Sequence, residues 1–405
     1  MEKKRLVWIS PHLPYDSVNH AGGKTQNFYL NKLIDEDIYE ARLIGFYQPD
    51  ELKKFTLNQK IRCDIFCYYN KGARKIFRNV LDFNYLKNPW NRYANTTTKF
   101  IEIKILTTLR NYKKENFSPD IIVLQWTQVI FFAKKVKKVF PNAKVIGIEE
   151  DVSMLSFERR IKLAKNKIHY YFSKVRYKNI VREEVNALNF CDLVILNNYK
   201  DFNLLSKYHI VPQIKMWSAF FEKISIEMDN NKEHKDVVFY GAMSRPENYL
   251  TAQWLLENVK PLLRDEDIRF VILGGNPHPS LYKYEDTTTF ITGFVNDVSS
   301  YFEKALCLAA PLILGAGIKV KILEALSAGV PVLTNEIGIE GIPAVDGKDF
   351  YYCETPEEYA AKIKDLLSDN EKRKVVSKNA KKLIEESFNY EKDSKELISW
   401  LKELF

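Results

Sequence analysis

The sequence predicts an α/β protein with two doubly wound, Rossmann-like domains. Two observations carry this. Short apolar runs of strand length alternate with longer segments of helical period along the 405 residues, which is the pattern of repeated βαβ units. The runs also fall into two series, and a polar stretch from Glu227 to Asp236 precedes the second. Two series argue for two sheets, and the length allows two separate cores.

The first series reads RLVWIS, ARLIGFY, RCDIFCYY, DIIVLQW, AKVIGIE and DLVIL. The second reads DVVFYGA, IRFVILGG, TTFITGF, LCLAAPL and VPVLT. Helical segments such as NYLTAQWLLENVKPLL separate most of them. The boundary falls near Pro212 to Trp217, so residues 1–213 and 214–387 form the two domains. The last stretch, YEKDSKELISWLKELF, is amphipathic and predicts a final helix over about 388–405. No internal repeat or low-complexity tract interrupts the chain.

Composition narrows the class. Hydrophobic content of 46% and charged content of 28% are those of a globular chain. The five cysteines are scattered without metal-type spacing, which favours a reducing, cytoplasmic compartment. The charged start MEKKR leads straight into a strand, so no signal peptide is expected. The apolar run LCLAAPLILGAGI falls short of the roughly 18 residues that span a bilayer.

Net charge is +9, unevenly divided. Residues 1–200 hold 36 Lys and Arg against 20 Asp and Glu, a balance of +16; the remainder, 25 against 32, stands at −7. The most basic window, Lys53 to Lys114, has 15 cations and three acids, interleaved with Tyr68, Tyr69, Phe77, Phe83, Tyr85, Trp90 and Tyr93. Three accounts are open: apposition to an anionic membrane, single-stranded nucleic acid, or a solvated surface. The first is favoured, and no nucleic-acid partner is expected.

The most telling segment is GAGIKVKILEALSAGVPVLT, Gly315 to Thr334. Gly315 and Gly317 let a ligand approach the backbone. A helix starting near Ile318 would turn free N–H groups and a positive dipole end toward a diphosphate. Glu324 lies about five residues in, roughly 8 Å along the axis, where its carboxylate can accept from ribose hydroxyls. Gly329 ends the helix and Pro331 opens the next strand.

This segment resembles the donor motif of retaining glycosyltransferases of family four, which have the GT-B fold: two Rossmann-like domains facing across a cleft. The family pattern is Glu-x7-Glu. Glu324 matches the second glutamate, while Ala316 stands at the first. The form GxGIKxKxLEAL resembles a subgroup from bacterial polysaccharide synthesis. The resemblance implies a final helix that crosses back to the first domain.

Other stretches then take roles by resemblance. YGAMSRPEN matches the turn that opens the donor half; Ala242 replaces a family arginine, and Arg245 either reaches the phosphates or is a solvated loop residue. VILGGNPHP puts Gly274, Gly275 and Asn276 at a strand's carboxyl end, with His278 close by. ITGFVNDVSSYF matches the element whose backbone, here Gly293, Phe294 and Val295, reads the nucleobase. Lys319 or Lys321 supplies positive charge beside Gly317 and Ile318. Glu340, in IGIEGI, either lies near the donor or caps a turn.

In the first domain, Gly22, Gly23 and Lys24 open a helix after the first strand and resemble the loop facing the donor phosphate. His12 and His20 lie in the preceding loop, structural or acceptor-facing. Glu150 stands where many relatives have a histidine near the transferred sugar, with Asp151 after it. The alternative is a helix N-terminus enriched in acids.

The resemblance implies transfer of a sugar from a UDP- or GDP-type nucleoside-diphosphate-sugar to a saccharide or polyprenyl-diphosphate-linked acceptor. Retention and cell-surface polysaccharide synthesis come with it. Glu150, Asp151 and Lys24 are the catalytic candidates. No Asp-x-Asp pair occupies a suitable loop, so no metal and no cofactor are expected. The enzyme would be cytoplasmic, peripheral on the inner face of the membrane. Two rivals share the architecture: a nucleotide-sugar 2-epimerase and a non-catalytic glycosyltransferase-like subunit.

Overall fold

The computed structural model describes residues 3–16, 18, 21–49, 51–55, 60–68, 97–162, 164, 166–226, 234–314 and 317–405. The chain forms two compact units, Met1–Phe220 with Tyr390–Phe405, and Phe221–Asn389.

The first unit is built on seven parallel strands: β1 (Lys4–Ile9), β2 (Tyr39–Tyr47), β3 (Arg62–Cys67), β4 (Ile121–Gln125), β5 (Lys144–Glu149), β6 (Leu193–Leu196) and β7 (Gln213–Met216). Their order is β3-β2-β1-β4-β5-β6-β7. Strand alternation splits the core in two. Leu6 and Trp8 face one side with Tyr29, Leu30 and Leu33 of α1 (Ala21–Asp35). Val7 and Ile9 face the other, with Ile105 and Leu109 of α2 (Lys99–Lys114). That second side is completed by α3 (Ser153–Lys162), α4 (Lys167–Leu188) and α5 (Tyr199–Leu205).

The second unit has six parallel strands, β8 (Asp236–Tyr240), β9 (Arg269–Leu273), β10 (Thr289–Ile291), β11 (Ala305–Ala310), β12 (Val332–Thr334) and β13 (Tyr351–Tyr352). Their order is β10-β9-β8-β11-β12-β13. Its helices include α6 (Pro246–Trp254), α7 (Val320–Ala328), α8 (Pro356–Ser368) and α9 (Asn370–Ser387). The last helix, α10 (Tyr390–Glu403), belongs to the first unit and buries Leu397, Trp400 and Leu401 beside α1.

In both sheets the strand order reverses beside the first strand, between β1 and β4 and between β8 and β11. Such a reversal opens a crevice at the carboxyl ends of the strands.

The boundary at 213/214 needs correction. Residues 213–216 are strand β7, paired with β6. Beyond it Trp217 stacks on Tyr29 at 4.0 Å, Phe220 stacks on Phe28 at 4.3 Å, and the Ser218 amide donates to Asp393 at 2.9 Å. The chain leaves the first unit only after Phe220, because its aromatic residues bury against α1. Helix α7 likewise starts at Val320 rather than Ile318. Much of the basic window, 69–96, lies outside the described residues, as do His20, Gly315, Ala316 and 227–233.

Candidate functional site

In the first unit the carboxyl ends of β4, β5 and β6 converge on one carboxylate. Gln125, the last residue of β4, donates its amide to Glu150 Oε1 at 2.6 Å. Asn197, just past β6, donates to Glu150 Oε2 at 2.6 Å. The other ends of both amides are also fixed. Trp8 Nε1 donates to Gln125 Oε1 at 2.9 Å, and Trp217 Nε1 donates to Asn197 Oδ1. An indole N–H can only donate, so each amide must turn its oxygen to the tryptophan and its NH₂ to Glu150. The orientation of both amides follows from chemistry, not from assignment.

Burial pushes the Glu150 carboxyl up to about 8, while the two amide bonds pull it back down and Asp151 adds a further rise. The crevice side of Glu150 is crowded. A Cβ at Gly22 would lie 3.1 Å from the Glu150 carboxyl carbon and 2.7 Å from the Trp126 ring. Trp126 itself has φ 72°, a region that costs a side-chain-bearing residue about 1–3 kcal/mol. His12 packs edge-on against it, with ring centroids 4.9 Å apart.

Three buried acids lie behind this loop. The Thr127 hydroxyl donates to Glu149, Glu184 accepts from the Ser153 and Met154 amides at 2.7 and 2.8 Å, and Asp201 is buried beside them. Burial raises Glu149 well above the usual carboxylate range and Glu184 to about 8. Glu184 thereby pins the start of α3 and the turn that carries Asp151. Asp151 is exposed; Gly23 and Lys24 follow Gly22 in the first turn of α1.

In the second unit the turns after β8, β9 and β10 are stitched by main-chain bonds. Gly241 N donates to Leu273 O at 3.1 Å, Met243 N to Gly275 O at 3.2 Å, and Gly274 N to Gly293 O at 3.0 Å. Gly274 has φ 146°, and a Cβ there would overlap the Gly241 carbonyl oxygen. Only glycine permits this approach. Asn276 takes φ 50°, which asparagine tolerates.

Glu324 stands four residues into α7, about 6 Å along the axis from Val320. The Tyr240 hydroxyl, at the end of β8, donates to its carboxylate. Burial first, and then Glu324, hold the phenol proton on well above its ordinary range. Lys321 donates to Asn248 Oδ1 at 2.5 Å and lies 4.8 Å from the Phe239 ring centre. A Cβ at Gly241 would meet its Nζ at 2.8 Å. Burial lowers Lys321 to about 7, with Lys319 and Arg245 adding to the fall and Glu247 and Glu324 opposing it.

Not all candidates converge. Lys319 donates to the Gly317 carbonyl and pairs with Glu340 at 3.6 Å, so its charge is shared locally. Arg245 is exposed at the start of α6. Phe294 is 77% exposed, with Gly275 against its ring and Val295 beside it. His278 stacks on Tyr249 at 4.2 Å and caps the turn at Ser280. Among the described residues no group of three His, Cys, Asp or Glu side chains is placed to hold a metal.

Sequence reasoning missed Gln125, Asn197, Tyr240 and Asn248. A signal existed for three of them: each is a polar residue at or just past the carboxyl end of an apolar strand, the edge where parallel sheets bind ligands.

Residues 234–369 match the protein family described as Glycosyl transferases group 1. The match falls within the second unit. The chain is 24% identical over 326 residues to an uncharacterized glycosyltransferase of Methanocaldococcus jannaschii, covering 73% of this chain and 77% of that one. It is 37% identical over 81 residues to spore coat protein SA of Bacillus subtilis, covering 19% of this chain and only 21% of that relative. Among solved structures, sucrose-phosphate synthase of Thermosynechococcus elongatus superposes with a TM-score of 0.69 at 12% identity, over 100% of this chain and 99% of that one. HepE of Anabaena, in complex with UDP, superposes with a TM-score of 0.64 at 14% identity, over 99% and 100%. The fold is GT-B: two parallel-sheet α/β domains of Rossmann-like layout.

Proposed function

We propose that the chain transfers a sugar from a nucleoside-diphosphate-sugar to a saccharide or lipid-linked saccharide acceptor, with retention, in the synthesis of a cell-surface polysaccharide. The observation that carries this is the pairing of two features in one crevice of the second unit. The Gly241–Gly274 contact opens a smooth backbone floor beside the Lys321 cation, suited to a diphosphate. Glu324, held by Tyr240, offers a fixed acceptor for ribose hydroxyls. The group 1 family match spans these residues, and HepE was crystallised with UDP.

In this reading the bond between the sugar's anomeric carbon and the diphosphate oxygen breaks, and the oxygen keeps the electron pair. Lys321, Arg245, Lys319 and the N–H groups at the start of α7 stabilise the negative charge that grows there. The acceptor oxygen bonds to the anomeric carbon on the face the diphosphate leaves, and its proton passes to the departing phosphate. Gly22, Gly23 and Lys24 of the first unit are assigned to phosphate binding. Glu150 binds hydroxyls of the transferred sugar, and Asp151 assists with the acceptor. Phe294, with the backbone from Gly293 to Val295, and Gly274 and Asn276 contact the nucleoside end. Gly317 and Ile318 lead into the helix start. Charge neutralisation by these cations makes the reaction independent of a metal.

The test is calorimetric titration of UDP, GDP, CMP and their common sugars into the wild-type chain and Glu324→Ala, followed by turnover with the donor selected, with and without EDTA. The proposal expects one nucleotide to bind, the variant to lose that binding, and turnover to survive EDTA. Failure of every nucleotide to bind overturns it; loss of turnover in EDTA overturns the metal-independent step.

A further inference from the structure

The first half of α4 stands apart among the described helices of the first unit. Its C-terminal half is anchored, with Ile180, Ala187 and Leu188 in the sheet's core. Its first turns are not: Ile168 is 71% exposed, Tyr171 59%, Tyr170 47% and Phe172 38%. Single exposed apolar residues are ordinary, but a contiguous group marks a contact surface. The helix start is well formed, since Asn166 accepts from the His169 amide at 2.8 Å. The apolar group is thus displayed on regular structure.

Its charge is as one-sided as its exposure. From Arg159 to Arg182 the sequence holds nine Lys and Arg and no Asp or Glu. Of these, Lys167, Lys174, Lys178 and Arg182 are exposed on α4. At about 100° per residue, these four and Tyr171 fall within an arc of about 80°. Ile168 and Phe172 flank that arc on one side and Tyr170 on the other. Lys174 Nζ lies 5.7 Å from the Tyr170 ring centre, and Tyr171 packs edge-on to Phe172 at 6.1 Å. The nearest acids in sequence, Glu158 and Glu183, bound the segment, and Glu183 is buried and paired with Arg182.

We infer that the first half of α4 docks this chain onto an anionic phospholipid bilayer. Aromatic and aliphatic side chains enter the headgroup boundary, and the lysines reach the lipid phosphates from flexible stems. Along the helix itself, from Lys167 to Arg182, no acid stands among these cations to repel a negative headgroup; Glu158, on the neighbouring helix, acts on Tyr177 in the next turns. This inference does not depend on the proposed reaction. It also differs from the basic window at 53–114, most of which lies outside the described residues.

The test is co-sedimentation of the full chain with vesicles of phosphatidylcholine alone or mixed with phosphatidylglycerol, at low and high salt. The expected result is binding to the phosphatidylglycerol vesicles at low salt only. Each well-placed cation contributes about a fivefold gain in partitioning, so Lys167→Glu with Lys174→Glu should lower binding at least about 25-fold. Replacing Ile168, Tyr171 and Phe172 by Ser should lower the low-salt binding further. All five positions are exposed, so thermal unfolding should match wild type and report that the fold is intact. No binding to phosphatidylglycerol vesicles, or binding unmoved by both variants, would overturn the inference. So would retention of poly(U) RNA in place of vesicles, or self-association abolished by the serine variant.

Discussion

Lys321 gives the sharpest prediction, because pH should move ligand affinity and stability in opposite directions. Burial lowers its pKa from 10.5 to about 7. In the free protein, raising the pH from 6 to 9 therefore converts the side chain from ammonium to amine. A diphosphate beside Lys321 favours the ammonium form, so binding above pH 7 must first restore the proton. Affinity then falls about tenfold per pH unit, and about a hundredfold by pH 9, or roughly 2.7 kcal/mol at 1.36 kcal/mol per unit.

The sign for stability is reversed. A lysine with a lowered folded pKa leaves the unfolded chain binding more protons between about 7 and 10.5, so its contribution to stability rises across that window. The buried acids of the first unit act the other way. Glu150 and Glu184 are raised to about 8, so their contributions are complete below the ordinary carboxylate range and are lost as pH rises through 8. Lys321→Met separates the terms, because methionine keeps the packing against Phe239 and removes the titration. The assay is calorimetry at pH 6 to 9 with the nucleotide-sugar selected by the screen, whose diphosphate charge is constant over that range. Wild-type affinity should fall and the variant's should stay flat at a lower value. A flat wild-type profile, or an equal fall in Lys321→Met, would refute the placement of Lys321 against the phosphates.

Two further predictions follow from the same geometry. Gly274→Ala forces a methyl group into the Gly241 carbonyl at a backbone angle that L-residues avoid, so unfolding of the second unit should be destabilised by about 2–4 kcal/mol; a denaturant midpoint within error of wild type would contradict this. Gln125→Ala and Asn197→Ala each remove one charge-assisted donor worth about 1.5–3 kcal/mol, so the pH–rate limb governed by Glu150 should move up by about one to two units. Limbs that stay in place while activity simply drops would mean that the amides serve only packing.

The sequence was most informative where a physical period or a backbone requirement is local. Alternating apolar runs and helical periods are properties of a few consecutive residues, so the two α/β domains and most strands could be read directly. The glycines at 241, 274 and 317 sit in turns whose geometry needs them. Short edge strands were not readable: β7 and β13 exist because a neighbour supplies hydrogen bonds, not because Gln213–Met216 or Tyr351–Tyr352 carries a pattern. The domain boundary failed for the same reason, since Trp217 and Phe220 belong to the first unit through partners distant in sequence, among them Tyr29, Asn197, Phe28 and Tyr390.

The same divide runs through the sites. Glu324, Lys321 and Glu150 could be named as candidates from their neighbours in sequence. What holds them was not. Tyr240 is 84 residues from Glu324, Lys321 is 73 from Asn248, and Trp8 is 117 from Gln125. Parallel sheets bring such residues together at strand ends that are distant along the chain, and no local period encodes that meeting. The charge bias of α4 was in the sequence throughout. Its meaning depended on exposure, and only packing decides which side of a helix the core leaves uncovered.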